Sequence, residues 1–172
     1  MAREGFGVVL VARRRERLER LARELEASYG VPSRVVVADL TRPEAARALA
    51  EAVGDIDVGL LVNNAGTGWI GRFDLQKPEY HAGLVDLHCR LPVELTARLL
   101  PRFLSRGRGG IVLVASAAAY VPLPYYAVYS GTKAFLATWG EALAVELEGT
   151  GVDVLVLSPG DTKTEFQEVA GE

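Results

Sequence analysis

The chain has 172 residues, 49% of them hydrophobic and 24% charged, with a formal net charge of −3. Those values fit an ordinary soluble globular protein with one core-bearing domain spanning residues 1–172, and they argue against general nucleic-acid affinity. Cys89 is the only cysteine, which rules out an intrachain disulfide or a cysteine zinc cluster. No apolar run reaches membrane-spanning length, and nothing at the N-terminus resembles a signal peptide, so the expected setting is cytoplasmic.

Short apolar runs alternate with helical patterns. Phe6 to Ala12 is continuous and Val-rich, as a buried parallel strand should be. Residues 13–29 place Leu18, Leu21 and Leu25 at helical spacing and stop at Gly30. A second strand is expected from Arg34 to Ala38, a helix from Pro43 to about Val53, and a third strand from Ile56 to Val62. After a glycine-rich loop, a long helix runs from Pro78 to about Ser105, with a kink expected at Pro92. A strand at Gly110–Ala115, a helix from Tyr126 to Glu148 and a strand at Val152–Leu157 follow. This alternation predicts an α/β fold: a doubly wound parallel sheet with helices on both faces. In such sheets ligands bind beyond the carboxyl ends of the strands. Arg13, Asp39, Asn63, Ser116 and Pro159-Gly160 all lie just after strands.

The stretch from Gly110 to Lys133 carries the chemistry. Tyr129 and Lys133 are four residues apart, hence on one face of a helix. A strand ending in Ser116 can deliver a hydroxyl beside that face. A cation near a phenol favours the phenolate and lowers its pKa from about 10. The three groups together suit proton exchange at a carbonyl or alcohol oxygen. Lysine occurs only at Lys77, Lys133 and Lys163 in an arginine-rich chain, which adds weight to Lys133.

Ser116 with Tyr129-x-x-x-Lys133, Asn63-Asn64-Ala65-Gly66 at a strand end, and Pro159-Gly160 after the last strand resemble the short-chain dehydrogenase/reductase family. The resemblance covers nearly the whole chain. It implies a Rossmann-like fold and hydride transfer between a nicotinamide cofactor and a small carbonyl or secondary alcohol. Tyr129 would be the acid/base, Lys133 would tune it and bind the nicotinamide ribose, and Ser116 would orient the substrate. The cofactor would also meet Asn63, Ala65 and Gly66, where small residues allow close backbone approach, and Pro159, Gly160 and Thr162 beside the nicotinamide. Asp39-Leu40 resembles the pair flanking adenine, although an isolated Asp there could equally cap the helix starting near Pro43. NAD-preferring enzymes carry an acid after the second strand of this fold. Here Ala12-Arg13 stands there, which points to NADP(H) over NAD(H) unless Arg13 merely belongs to a solvated arginine-rich helix start.

Three departures accompany the resemblance. His88 falls where relatives use an Asn in a proton relay; His can hydrogen-bond similarly but titrates near neutrality. The family's glycine-rich turn and its first strand have no counterpart, and the chain stops soon after Phe166, short of the substrate-covering part. The fold is therefore expected to be incomplete at both ends, with weak dinucleotide binding by this chain. The strands at Phe6 and Ile56 should pair directly, take a segment of another chain, or leave a slot. The resemblance further implies a homodimer or homotetramer built on the two long helices, the second offering Gly131, Ala134, Thr138 and Ala142 for close approach. A non-catalytic nucleotide-sensing or interaction module of the same fold is the alternative.

Overall fold

The computed structural model describes residues 1–160. Its elements run β1 (Val8–Ala12), α1 (Arg15–Tyr29), β2 (Ser33–Val37), α2 (Ala45–Ala52), β3 (Leu60–Asn63), α3 (Pro78–Val85), a π-helical turn (Asp86–Arg90), α4 (Leu91–Arg106), β4 (Gly109–Val114), α5 (Ala127–Glu146) and β5 (Val152–Leu157).

All strand pairing is parallel. β1 pairs with β2 from Val8↔Ser33 to Ala12↔Val37. β3, β4 and β5 form a second sheet, with Leu61 opposite Ile111 and Ile111 opposite Val154. Crossovers of one hand place helices by the direction of travel. β1 to β2 steps outward and β2 to β3 steps back, so α1 and α2 lie on opposite faces. α1 accordingly packs on β1 and β2, while α2 packs on α4. The doubly wound arrangement read from the sequence is the one observed.

β1 and β3 do not pair with each other. Their facing edges bound a cavity of about 1300 Å³, lined by Val8–Val11, Leu60–Asn63 and, from α4, Leu91, Leu95 and Leu99. Of the three outcomes expected for these edges, the structure shows the slot. Side-chain packing, not a backbone ladder, spans it. One apolar cluster joins Leu49 and Val53 of α2, Leu91 to Phe103 of α4, and Ile111 and Leu113 of β4, and Val9 and Val11 of β1 pack against it.

Several boundaries differ from the sequence expectation for local reasons. β3 begins at Leu60 rather than Ile56 because α4 captures the preceding carbonyls. Arg102 donates to the carbonyls of Val53 (3.0 Å) and Ile56, and Arg106 to that of Val58 (2.6 Å). The irregularity expected at Pro92 appears as the π turn ending two residues earlier. Pro92 has no N–H to give back to the turn before it, so regular α-helical bonding cannot run through that point. α1 and α4 end where expected of glycine caps, at Gly30 (φ 65°) and Gly107 (φ 60°). Among the described residues, no helix is long and apolar enough to cross a membrane.

Two helical glycines separate packing from propensity. A Cβ at Gly83 in α3 would meet nothing within 4 Å. At Gly140 in α5 it would run into Val156 and lie 2.8 Å from Leu113 Cδ1. Gly83→Ala is expected to stabilise the chain by roughly 0.5–1 kcal/mol and Gly140→Ala to destabilise it by about 1–3 kcal/mol. Urea unfolding of both variants checks this, and equal effects would contradict the packing.

Candidate active site

β4 ends at Val114, and the chain continues extended through Ser116 into a short 3₁₀ turn, Ala117–Ala119. Ser116 Oγ accepts from the Ala118 amide at 3.2 Å, which fixes the side chain at the strand end. α5 then passes the same strand end, presenting Tyr129 and Lys133 one turn apart. The Ser116 hydroxyl and the Tyr129 phenol share a hydrogen bond. Lys133 Nζ donates to the Val114 carbonyl at 2.8 Å and lies 5.7 Å from the Tyr129 ring centroid. The three residues singled out from the sequence thus converge.

Their electrostatics differ from the sequence expectation. Burial raises the Tyr129 phenol above its ordinary value, and the Ser116 hydrogen bond offsets this only in part. The Lys133 ammonium is bonded to the Val114 carbonyl, and burial is the larger influence on the phenol. Lys133 is only 5% exposed, and burial lowers its pKa to about 8.

The loop after β3 closes over this pair. A Cβ on Gly66 would stand 3.1 Å from His88 Nε2 and 3.7 Å from Lys133 Nζ, so glycine is what lets the backbone approach. Asn63 Nδ2 reaches Thr96 Oγ1 at 3.5 Å, and Ala65 is exposed beside it. His88 lies in the π turn and is buried, with its Nε2 facing the Thr67 amide (3.2 Å) and its Nδ1 facing Thr132 Oγ1 (2.9 Å). Burial, then the nearby Lys133 charge, lower its pKa to about 3. The expected titration near neutrality is therefore absent.

At the far end of the carboxyl edge, Arg13 is exposed after β1 and close enough to Asp39 for its charge to act on that carboxylate. Asp39 does not cap α2, whose first turn has no side-chain cap. It closes its own turn instead, accepting from the Thr41 hydroxyl (2.8 Å) and amide (3.1 Å), and these bonds lower its pKa. Leu40 is half-buried beside it. Pro159 accepts from the Ala117 amide at 2.9 Å, tying the end of β5 to the Ser116 turn, and Gly160 follows, exposed. Thr162 lies outside the described residues.

A dinucleotide can therefore be tested against this edge at two ends. Arg13, Asp39 and Leu40 stand at one end; Asn63, Ala65, Gly66, Tyr129, Lys133, Pro159 and Gly160 stand at the other, with the Gly66 backbone open to close approach. Among the described residues, no group of three or more His, Cys, Asp or Glu is placed to hold a metal ion.

Sequence reasoning missed an aromatic wall. His81 stacks on Phe73 (centroids 4.3 Å apart) and meets Trp69 edge-on. With Leu84, Tyr125 and Tyr126 they line a cavity of about 100 Å³ that reaches Tyr129. Tyr125 holds a left-handed φ of 68°, rare for an aromatic residue, and its carbonyl accepts from the Gly71 amide at 3.0 Å. That bond joins the two loops flanking the site. The aromatics at 69, 73, 120 and 125, set among turn residues, were the available signal.

The short chain dehydrogenase family matches this chain over residues 1–172, and the chain belongs to that family. It is 36% identical over 160 residues to a very-long-chain 3-oxoacyl-CoA reductase of Podospora anserina, covering 90% of this chain and 47% of the relative. It is 32% identical to a 7beta-hydroxysteroid dehydrogenase of Clostridium sardiniense, covering 95% and 63%. Among solved structures, a short-chain dehydrogenase from Sphingobium yanoikuyae in complex with NADPH superposes with a TM-score of 0.94 at 36% identity, covering 99% of this chain and 67% of that one. L-Sorbose reductase of Gluconobacter frateurii, complexed with NADPH and L-sorbose, gives a TM-score of 0.85 at 36% identity, covering 92% and 61%. The chain spans about half the length of most of the curated relatives it matches.

The buried lysine has a measurable cost. The folded chain holds the Lys133 proton less tightly than the unfolded chain, whose value is near 10.5. Unfolding therefore takes up a proton between about pH 8 and 10.5, and the Lys133 contribution to stability rises through that window and is lowest below it. Lys133→Met lacks that proton, so its stability relative to the parent is expected to fall as pH climbs from about 8 to 10.5, on top of a pH-independent cost for leaving the Val114 carbonyl unpartnered. Denaturant unfolding of both chains at pH 7 and pH 10 checks this; a stability difference that does not change between the two pH values would contradict it.

Proposed function

We propose that the protein is an NADP(H)-dependent oxidoreductase that reduces a carbonyl or oxidises a secondary alcohol. The observation that supports this most directly is the convergence of Ser116, Tyr129 and Lys133 at the end of β4. When bound, the nicotinamide supplies or accepts the hydride. Ser116 holds the substrate oxygen, and Tyr129 gives that oxygen its proton or takes it back. Lys133 would hold the nicotinamide ribose, and its charge would favour the phenolate as it develops on Tyr129. Asn63, Ala65, Gly66, Pro159 and Gly160 would hold the nicotinamide half, and Asp39 and Leu40 the adenine half. Arg13 holds the extra phosphate of NADP(H), and NAD(H) is the weaker partner. The NADPH named in complexes of related proteins supports the cofactor choice.

The substrate is an apolar carbonyl compound or its alcohol. Tyr120, Val121, Leu123 and Tyr125 expose their side chains just after the Ser116 turn, and the Trp69–Phe73–Tyr126 cavity adjoins Tyr129. Relatives named for acyl-CoA and steroid substrates are consistent with such a surface. The setting is a reducing, cytoplasmic one, in keeping with the single free Cys89. Assembly as a homodimer or homotetramer uses α4 and α5, where Phe135 and Val145 are exposed on the helix that carries Gly131, Thr138 and Ala142. The alternative reading is a non-catalytic nucleotide-sensing or interaction module of this fold.

Titration with NADPH, followed by a screen of apolar ketones, separates the two readings. Carbonyl-dependent NADPH oxidation that Tyr129→Phe abolishes, with cofactor affinity kept, supports the enzyme; near-full activity of that variant would remove Tyr129 from the acid/base role. Arg13→Ala should cost roughly tenfold or more of the preference for NADPH over NADH, the scale of a lost guanidinium–phosphate contact. Unchanged cofactor preference would overturn the assignment of Arg13. Light scattering at micromolar concentration should give a dimer or tetramer, and a monomer would refute the assembly.

A further inference from the structure

His88 occupies the most enclosed position beside the site, at 1% exposure, and its hydrogen bonds leave its protons no freedom. The Thr132 hydroxyl has one proton, and it is given to the Tyr129 backbone carbonyl at 2.8 Å. Thr132 Oγ1 can then only accept from His88, so Nδ1 must carry hydrogen across the 2.9 Å contact. At the other side of the ring the Thr67 amide donates to Nε2 at 3.2 Å, so Nε2 must be bare. One neutral tautomer satisfies both partners, and an imidazolium satisfies neither the Thr67 amide nor its surroundings. The titratable groups around the ring are Lys133 and Tyr129 on α5 and Cys89 on its own turn. Burial pushes the Cys89 thiol up to about 11 and raises the Tyr129 phenol, so none of the three offers a negative charge at neutral pH.

We propose that His88 is the positioning residue of this site, a permanently neutral imidazole that clamps the loop after β3 onto the helix turn carrying Tyr129 and Lys133. One end of the clamp, Thr67, follows Gly66, where an added Cβ would stand 3.1 Å from His88 Nε2 and 3.7 Å from Lys133 Nζ. The other end, Thr132, lies between Tyr129 and Lys133 and is bonded to the Tyr129 carbonyl. The ring also meets Tyr129 edge-on, with centroids 5.8 Å apart. His88 therefore sets the distance between the Gly66 backbone and the Tyr129–Lys133 pair. It moves no proton itself, unlike a relay residue. The geometric assignment stands on the hydrogen bonds; its effect on turnover rests on the oxidoreductase reading above.

The test has a spectroscopic and a kinetic arm. Long-range ¹H–¹⁵N spectra of the full chain labelled at histidine, with His81→Asn used to assign the two rings, should show His88 protonated at Nδ1 only. That pattern should persist from pH 5.5 to 8.5. Protonation inside that range, or the Nε2–H tautomer, would overturn the proposal whether or not the chain turns over substrate. In the kinetic arm, His88→Asn places an amide near the Nδ1 position and retains the Thr132 contact, His88→Gln reaches the Thr67 amide instead, and His88→Phe retains neither. Turnover of NADPH with the best ketone should fall at least about tenfold in kcat for His88→Phe, with KM nearly unchanged and partial rescue by Asn or Gln, as for a slightly misplaced catalytic group. A pH–rate profile whose limbs keep their midpoints in all active variants agrees with the clamp. Loss of a limb on removing His88 would make it a proton carrier and overturn the proposal. If the parent chain oxidises no NADPH with any ketone, the oxidoreductase reading falls and the spectra alone decide the clamp.

Discussion

The bond from the Lys133 ammonium to the Val114 carbonyl is the contact on which the site is built. It is local to neither element: it joins the middle of α5 to the last residue of β4. A strand end leaves its carbonyls without ladder partners, and a buried carbonyl without a partner is costly. A buried ammonium is costlier still. Each group answers the need of the other, and the pairing fixes how α5 passes the strand. Once that passage is set, Tyr129 must face Ser116, and Thr132 must face His88. The burial that lowers the Lys133 pKa is the strain left over, and it is held in the place where an anionic partner would relieve it.

The two halves of the sheet show how far side-chain packing can replace a ladder. β1–β2 and β3–β4–β5 share no backbone pairs, yet Val9 and Val11 reach the cluster that α2 and α4 build beneath them. Arginines of the π turn and α4 reinforce that platform: Arg90 donates to the carbonyls of Thr41 and Pro43, and Arg102 and Arg106 to those between Val53 and Val58. These bonds pin both ends of the α2 segment, so the crossover from β2 to β3 is held even though the strands on either side of the slot do not touch. Facing edges of β1 and β3 present unpaired N–H and C=O groups to one cavity, which is the backbone signature of a strand acceptor.

Much of this is legible in the sequence because it follows from local pattern. Ile111–Val114 and Val8–Ala12 are short, apolar and β-branched, and parallel strands covered on both faces have to be. The placing of Arg13, Asp39, Asn63, Ser116 and Pro159 just after strands locates the site, since strand ends converge on one edge. What is not legible depends on the approach of distant elements. The sign of the Tyr129 shift is one case: spacing puts a cation on the same helix face, but burial outweighs it and the ammonium turns to a carbonyl that only the folded chain supplies. Asp39 is another, because a capping carboxylate and a turn-closing one look alike until the first turn of α2 is found at Ala45. The partnership of His88 with Thr67 and Thr132 spans 21 and 44 residues and has no sequence signature.

One buried cation, Lys133, follows from these partnerships. Two positive charges in one buried pocket would each displace the other's proton. The hydrogen bonds that keep His88 neutral therefore protect the Lys133 charge as well as placing the loop. With its pKa near 8, Lys133 remains largely protonated at neutral pH, though with little margin. An anion brought beside Nζ, whether a phenolate forming on Tyr129 or a ligand oxygen, favours the protonated amine and binds more strongly because of it. The amine is thus poised to answer charge as it develops, while the phenol stays a neutral proton donor until that moment. On the function proposed above, a resting site that keeps Tyr129 protonated and Lys133 charged suits proton delivery to a carbonyl oxygen.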